Sequence, residues 1–271
     1  MRSHLIRPAA AAVLLGLAAA FLVPATLARA ETVRIRYSIS LLGLSIGAAN
    51  LTGTLSPGAY RLDVSAKVTG LASVMGKSNG AASSSGAIVK GKLSPATYAT
   101  TAANSKETRT VRMSFAGSAV TGLDVSPPFE EKPGRVPLTD DSKRNVLDPL
   151  GAVLMTVPAS QPLLGKAACE RTIPIFDGNT RFNIGLSFTG LKKVSGKGYD
   201  GDVAVCAVRY TPIAGHRPDR KATKFMTDNK DIEVWLAPLE SAHALVPYFM
   251  SVATQIGTTT LNVEDFQVSG K

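Results

Sequence analysis

The feature that most constrains this chain is a period of two. Val33, Ile35, Tyr37 and Ile39 alternate with Arg34, Arg36 and Ser38. Tyr60, Leu62, Val64, Ala66 and Val68 alternate in the same way with Arg61, Asp63, Ser65 and Lys67. Val111, Met113 and Phe115 alternate with Arg112 and Ser114, and Phe182, Ile184, Leu186 and Phe188 with Asn183, Gly185 and Ser187. Successive side chains of a strand point to opposite faces, so each run has one apolar face and one polar face. An antiparallel sheet with one wet face produces this pattern; buried parallel strands read as continuous apolar runs. Ser56-Pro57-Gly58 and Asp177-Gly178-Asn179 supply turns between runs. Further strands are expected near 45–55, 80–90, 95–103, 118–125, 203–211, 231–237, 246–256 and 259–268. About a dozen or more short strands with turns between them predict an all-β fold. The expectation is one large curved antiparallel sheet, a half-open or spiral barrel.

A helix is expected to interrupt the strands. Asp148 suits an N-cap, and Pro149 suits the first helical position, where its missing N–H costs nothing. Leu150, Val153, Leu154 and Val157 repeat at helical spacing, and Pro158 and Pro162 end the run. This predicts a helix near 149–157 packed on or across the sheet. A short helical turn is also read around Leu71–Met75. The proline-rich, acidic stretch 126–141 reads as a long surface loop, and no linker divides the chain into independent domains.

The first thirty residues read differently. Arg2 and Arg7 precede an almost unbroken apolar run from Ala9 to Val23, followed by Ala28-Arg29-Ala30. A positive start, an apolar stretch and a small-x-small site make a secretory signal, with cleavage expected after Ala30. The apolar run is shorter than the roughly twenty residues that span a bilayer as a helix. No cysteine near the site could carry a lipid. The expected product is one exported β-rich domain, 31–271, periplasmic, not a lipoprotein and without a membrane span. Three of the 30 Lys+Arg and none of the 20 Asp+Glu precede residue 31, which lowers the formal charge from +10 to +7. That excess suits a solvated mixed surface, with an anionic lipid surface as the alternative. Nucleic acid is not an expected partner, because the aromatic residues sit in strand patterns rather than among basic clusters.

Cys169 and Cys206 are the two cysteines of the chain. In an oxidising compartment they are read as a structural disulfide, worth roughly 4 kcal/mol in the chain-entropy model. The alternatives are two buried free thiols or a redox pair; the C-x-x-C spacing usual for the latter is absent.

Motifs of catalysis are matched only in letters. Gly43-Leu44-Ser45-Ile46-Gly47 fits the nucleophile elbow of hydrolases, but more strand-like sequence follows where that elbow needs a helix. It is read as a glycine-punctuated hairpin. Gly196-Lys197-Gly198-Tyr199-Asp200-Gly201 fits a dinucleotide loop, yet a strand follows it too. In Gly76-Lys77-Ser78 the glycine that would open a phosphate loop is one position out of place. Beyond the signal only His216 and His243 remain, too few with two cysteines for a zinc site. No catalytic residue, metal or cofactor is therefore expected. The most basic stretch holds His216, Arg217, Arg220, Lys221 and Lys224, and is read as a loop between two strands. A solvated surface is the first reading, and contact with anionic headgroups or an acidic partner the second.

These pieces resemble a known family. Tyr37-Ser38-Ile39-Ser40 with Gly43 and Gly47, then Asp148-Pro149-Leu150, form its opening features. Cys169, Pro174-Ile175-Phe176-Asp177-Gly178, Tyr199-Asp200-Gly201 and Cys206 follow, with Val234-Trp235-Leu236 and Val246-Pro247 at the end. In this order they are similar to the exported bacterial family called domain of unknown function 3108. The resemblance implies an envelope protein on a curved antiparallel sheet and supplies no catalytic residues.

Two functions are weighed. The first is a non-enzymatic envelope protein that binds a lipid or a lipoprotein's acylated tail on a concave face. Val111, Met113, Phe115, Phe182, Ile184, Leu186 and Phe188 are its candidate ligand face, with ordinary core as the competing reading. The second is an envelope scaffold that meets a protein partner through a strand edge or the basic loop. An exported hydrolase using Ser45 ranks last.

Overall fold

The computed structural model describes residues 30–69 and 78–270. The expected signal over 1–30, apart from its last residue Ala30, and the helical turn at 71–75 lie outside the described residues. Fourteen strands dominate. They are β1 (Glu31–Leu41), β2 (Leu44–Ser56), β3 (Ala59–Val68), β4 (Asn79–Val89), β5 (Lys92–Ala103), β6 (Thr108–Ala116) and β7 (Ala119–Ser126), then β8 (Met155–Thr156), β9 (Arg171–Phe176), β10 (Arg181–Gly196), β11 (Tyr199–Ala214), β12 (Ile232–Leu239), β13 (Ala244–Thr254) and β14 (Gly257–Ser269). Two α-helices accompany them among the described residues, α1 (Lys166–Cys169) and α2 (Lys221–Asp228). No helix among the described residues is long and apolar enough to cross a membrane.

The strands form one antiparallel sheet in the order β7-β6-β5-β4-β3-β2-β1-β14-β13-β12-β11-β10-β9, with β8 on β13. It is two meanders joined where the first strand meets the last, from Thr32 opposite Ser269 to Leu41 opposite Thr259. The sheet does not close: β7 and β9 are its edges. The expected all-β, half-open architecture is the one observed.

The alternation predicts the faces. Across the first meander Val33 faces Gly53, then Leu62, Ser84, Tyr98 and Met113 in successive strands. Val33, Leu62, Tyr98 and Met113 belong to one core cluster, and Ser84 is buried in the same row. The middle of the second meander, from β11 through β12 to the start of β13, is buried on both faces. Val203, Ala237 and Val246 join that first cluster, while their neighbours Ala204, Leu236 and Leu245 belong to a second one on the opposite face. Cys169 and Cys206 lie in the second cluster and form a disulfide with a Cα–Cα distance of 5.6 Å, tying α1 to β11.

The helix expected near 149–157 is not formed. A single 3-10 turn, Gly151–Val153, is followed by the short strand β8. The apolar repeat that suggests a helix has another cause. Val146, Leu150 and Leu154 pack into the first cluster, and Ala152, Met155 and Val157 into the second. A segment buried on every side has no wet face to give an amphipathic helix. Its backbone is satisfied by neighbours instead. Val146 N–H donates to Ser118 O (2.9 Å), Leu147 N–H to Pro174 O (2.8 Å), and Phe176 N–H to Leu147 O (3.0 Å). The segment thus fills the gap between the two ends of the sheet and covers part of the β9 edge.

Asp148 anchors this crossing segment. Its carboxylate is fully buried and accepts from Leu150 N–H (3.1 Å), Gly151 N–H (2.7 Å) and the Ser84 hydroxyl (2.9 Å). Asp148 therefore does cap the turn, as its sequence position suggests. Burial raises its pKa above the ordinary carboxylate value. Burial and then the nearby Asp148 charge push the Tyr60 phenol up to about 12.

Candidate functional site

The registers bring one end of the sheet to a common rim. The β1–β2 turn, the start of β4, the β5–β6 turn and the β13–β14 turn all lie there. One row next to this rim has unusual content. Ala49, Ala66, Gly80, Ala102 and Arg109 follow one another across β2 to β6, all on the inward face. One row deeper the same strands carry Leu51, Val64, Ala82, Thr100 and Val111. Where large side chains fill the barrel the interior is close-packed; where the row shrinks to Gly and Ala, the row itself leaves space that no side chain among the described residues fills. A cavity of about 420 Å³ opens at that end, lined mainly by apolar atoms of Ile39, Gly47, Ala66, Val68 and Ala102, with Arg109 on its wall.

Arg109 is the hinge between this cavity and a second one. Its Nη2 lies 2.6 Å from Glu107 Oε1, and its guanidinium stacks 4.5 Å over the Phe129 ring. On its other side a cleft of about 460 Å³ shares Glu107 and Arg109 with the first cavity. The cleft lies at the seam where the two ends of the sheet approach each other. Arg135, in the segment after β7, closes this seam. Its Nε donates to Gly215 O (2.7 Å), and its Nη2 donates to Asn179 O (2.7 Å) and Asn179 Oδ1 (2.8 Å). Val136 pairs beside it, its N–H donating to His216 O and its carbonyl accepting from Gly215 N–H. The stretch 126–141 is thereby clamped onto the far side of the sheet.

The cleft is cationic. Arg109, Lys132, Arg135, Arg217 and Arg220 line it, against Glu107 and Glu130. The Nε of Arg109, the Nε of Arg217 and the Nδ1 of His216 are buried without a hydrogen-bond partner among the described residues. Buried polar atoms are nearly always paired, so three orphans around one cleft call for an explanation. Arg217 Nη2 is occupied by Asp219 (3.0 Å), which holds that carboxyl below its usual range.

The residues expected from sequence are distributed as follows. His216, Arg217 and Arg220 line the cleft, but Lys221 and Lys224 are not in a loop: they stand exposed on α2. Ala222, Phe225 and Met226 repeat at helical spacing there, a signal available in the sequence but masked by the lysines around it. The seven ligand-face candidates do not share one surface. Val111, Met113 and Phe115 are buried in the first cluster. Leu186 is buried in the second, with Phe182, Ile184 and Phe188 partly buried against it, on the other face of the sheet. None of the seven lines either cavity. Arg109 and Arg135 were not anticipated. The available signal for Arg109 was a charge at an inward position of the alternation that continues through Val111, Met113 and Phe115. Arg135 gave none. Ser45 is exposed in β2, just after the two-residue turn Leu42-Gly43, and the Gly196–Gly201 match is likewise a two-residue hairpin turn.

Fold and site define a class: a half-open antiparallel β-barrel with an apolar cavity and a cationic cleft at one rim. Within that class, the chain belongs to the family described as protein of unknown function (DUF3108), whose pattern matches residues 35–264. No curated protein matches the chain. The crystal structure of a β-barrel-like protein of domain of unknown function DUF1849 from Brucella abortus is similar to it. That similarity has a TM-score of 0.49 and 10% sequence identity, and covers 88% of this chain and 98% of that one.

Proposed function

We propose that this is a non-enzymatic protein of the bacterial envelope, exported to the periplasm, that shelters the apolar part of a lipid in its rim cavity. The observation that carries the reading is the row Ala66–Gly80–Ala102, which leaves an apolar space open to the rim. Two further features support it. A disulfide suits an oxidising compartment. The turns around the same rim also carry bare apolar tips: Leu42, Leu44 and Ile256 are 67%, 65% and 72% exposed. The first and last of these turns touch, Leu42 N–H donating to Thr258 O at 2.9 Å. Large exposed aliphatics around the mouth of an apolar cavity suit a surface that meets a membrane.

The test is native mass spectrometry of protein purified from the periplasm, with lipid extraction, beside an Ala102→Trp variant that fills the cavity. Wild type is expected to carry a lipid that the variant lacks. Wild type free of lipid, with no affinity for a fluorescent long-chain fatty acid, overturns the reading. The scaffold alternative rests on β7, which pairs within the sheet on one side only. Crosslinking in cells that traps a protein partner along Ala119–Ser126, with no lipid bound, favours it instead.

A further inference from the structure

We infer that the cationic cleft is an oxyanion site, and that it takes the phosphate or carboxylate headgroup of the amphiphile whose tail occupies the adjoining cavity. The inference rests on the carrier reading for the tail, but the cleft stands on its own geometry. Arg109 belongs to both spaces. A ligand with its chain against Ala66 and Ala102 would therefore bring its polar end past Arg109 into the cleft. There it meets the cationic lining of Arg109, Lys132, Arg217 and Arg220, behind which Arg109 Nε, Arg217 Nε and His216 Nδ1 have no hydrogen-bond partner among the described residues.

The neighbouring carboxylates do not supply the missing acceptor. Glu107 already contacts Arg109 Nη2, and Glu130 lies 3.3 Å from Lys132 Nζ. Both pairs leave the Nε of Arg109 free. Asp219 likewise takes one Nη2 of Arg217 and leaves its Nε free. A guanidinium presents its donors in a planar fork that matches two oxygens of a carboxylate or phosphate. Two arginines with unused Nε donors in one cleft fit a multi-oxygen anion better than a neutral group. Latching of the cleft wall by Arg135 means the donors are held in place before the anion arrives, which limits the ordering that binding must bring about.

Calorimetric titration of the full mature chain tests this with two probes, inorganic phosphate and monomeric lysophosphatidylglycerol, with lysophosphatidylcholine as the control. The variants are Arg217→Gln, Arg109→Gln and the cavity-filling Ala102→Trp, each checked for an unchanged thermal transition. The expected result is preference for the anionic lysolipid, at least 10-fold weaker in Arg217→Gln and Arg109→Gln. Ala102→Trp is expected to lose lysolipid while keeping any phosphate binding. If the arginine variants bind the lysolipid as wild type does, the headgroup site is wrong and the carrier reading stands. If phosphate binds through the arginines but no lysolipid binds, the oxyanion serves a free anion, and the link to the cavity and the carrier reading both fail. If neither probe binds, the site is overturned. Should Arg109→Gln fail to fold, Arg217→Gln, on an outer loop, decides alone.

Discussion

Ser84 on β4 donates its hydroxyl to the Asp148 carboxylate at 2.9 Å, linking the inner face of the first meander to the segment that plugs the gap in the sheet. No ion pair among the described residues neutralises that carboxylate, and burial disfavours its charged form.

The pH dependence of stability follows from it. Burial raises the folded pKa of Asp148 above 3.8. A group with a raised folded pKa contributes stability in full below its unfolded value, and loses it as pH rises through the folded value. Unfolding in urea is therefore expected to become easier as pH climbs from below 4 towards neutrality, over and above the other groups. Asp148→Asn keeps an acceptor for Leu150 and Gly151 N–H and removes the charge. It should be at least as stable as wild type at pH 7, with a flatter profile. Asp148→Ala strands the two amides and should cost about 2 kcal/mol.

Gly178 closes the seam from the β9–β10 turn. Its φ is +95°, and a Cβ there would come 2.6 Å from Val111 Cγ1. Gly178→Ala is expected to destabilise by about 2 kcal/mol through backbone strain and overpacking. Shortening Val111 to Ala in the same chain should recover part of the loss, so the double variant costs less than the two single changes together. Strict additivity by equilibrium denaturation would contradict the contact.

Arg135 makes three hydrogen bonds across the seam. Arg135→Ala should lower stability by about 2 kcal/mol, and Arg135→Lys should recover little, because an ammonium cannot span the same acceptors. Hydrogen exchange should rise at the Val136 and Gly215 amides before it rises in β1 or β14. Uniform protection would show that the clamp is unimportant.

The disulfide belongs to the other face. Replacing Cys169 and Cys206 together by Ala should lower unfolding free energy by about 3 kcal/mol, chiefly through the unfolded chain. Lysolipid binding at the rim should persist in folded protein, because the bond lies in the second cluster and the cavity opens from the first.

The bare tips Leu44 and Ile256 make a separate prediction. If the rim meets a bilayer, each side chain contributes about 1.5 kcal/mol on leaving water. Leu44→Ser with Ile256→Ser should then reduce partitioning onto phosphatidylglycerol vesicles on the order of 100-fold. The thermal transition should not move. Unchanged sedimentation with vesicles would argue against membrane contact at this rim.

Strands were legible because alternation is a local property. Ile35, Leu62 and Met113 declare their face by what stands on either side of them, and the sheet obeyed. The helix misread at 149–157 marks where that logic stops. Leu150, Val153, Leu154 and Val157 keep helical spacing, yet the segment lies between two cores and is wetted on no side. The missed helix α2 is the reverse case: it is short and exposed, so nothing apolar announced it strongly.

By itself the sequence determined the antiparallel all-β class, the turns and the cap at Asp148, and it supplied a pair of cysteines that the fold joined. Only the tertiary structure decided the site. Arg109, Arg135 and His216 come from three distant stretches and meet because the two ends of an unclosed sheet curl towards one another. The cavity beside them depends on Ala66, Gly80 and Ala102 falling into one cross-strand row. Such a row is set by register between strands, which no single strand's pattern contains.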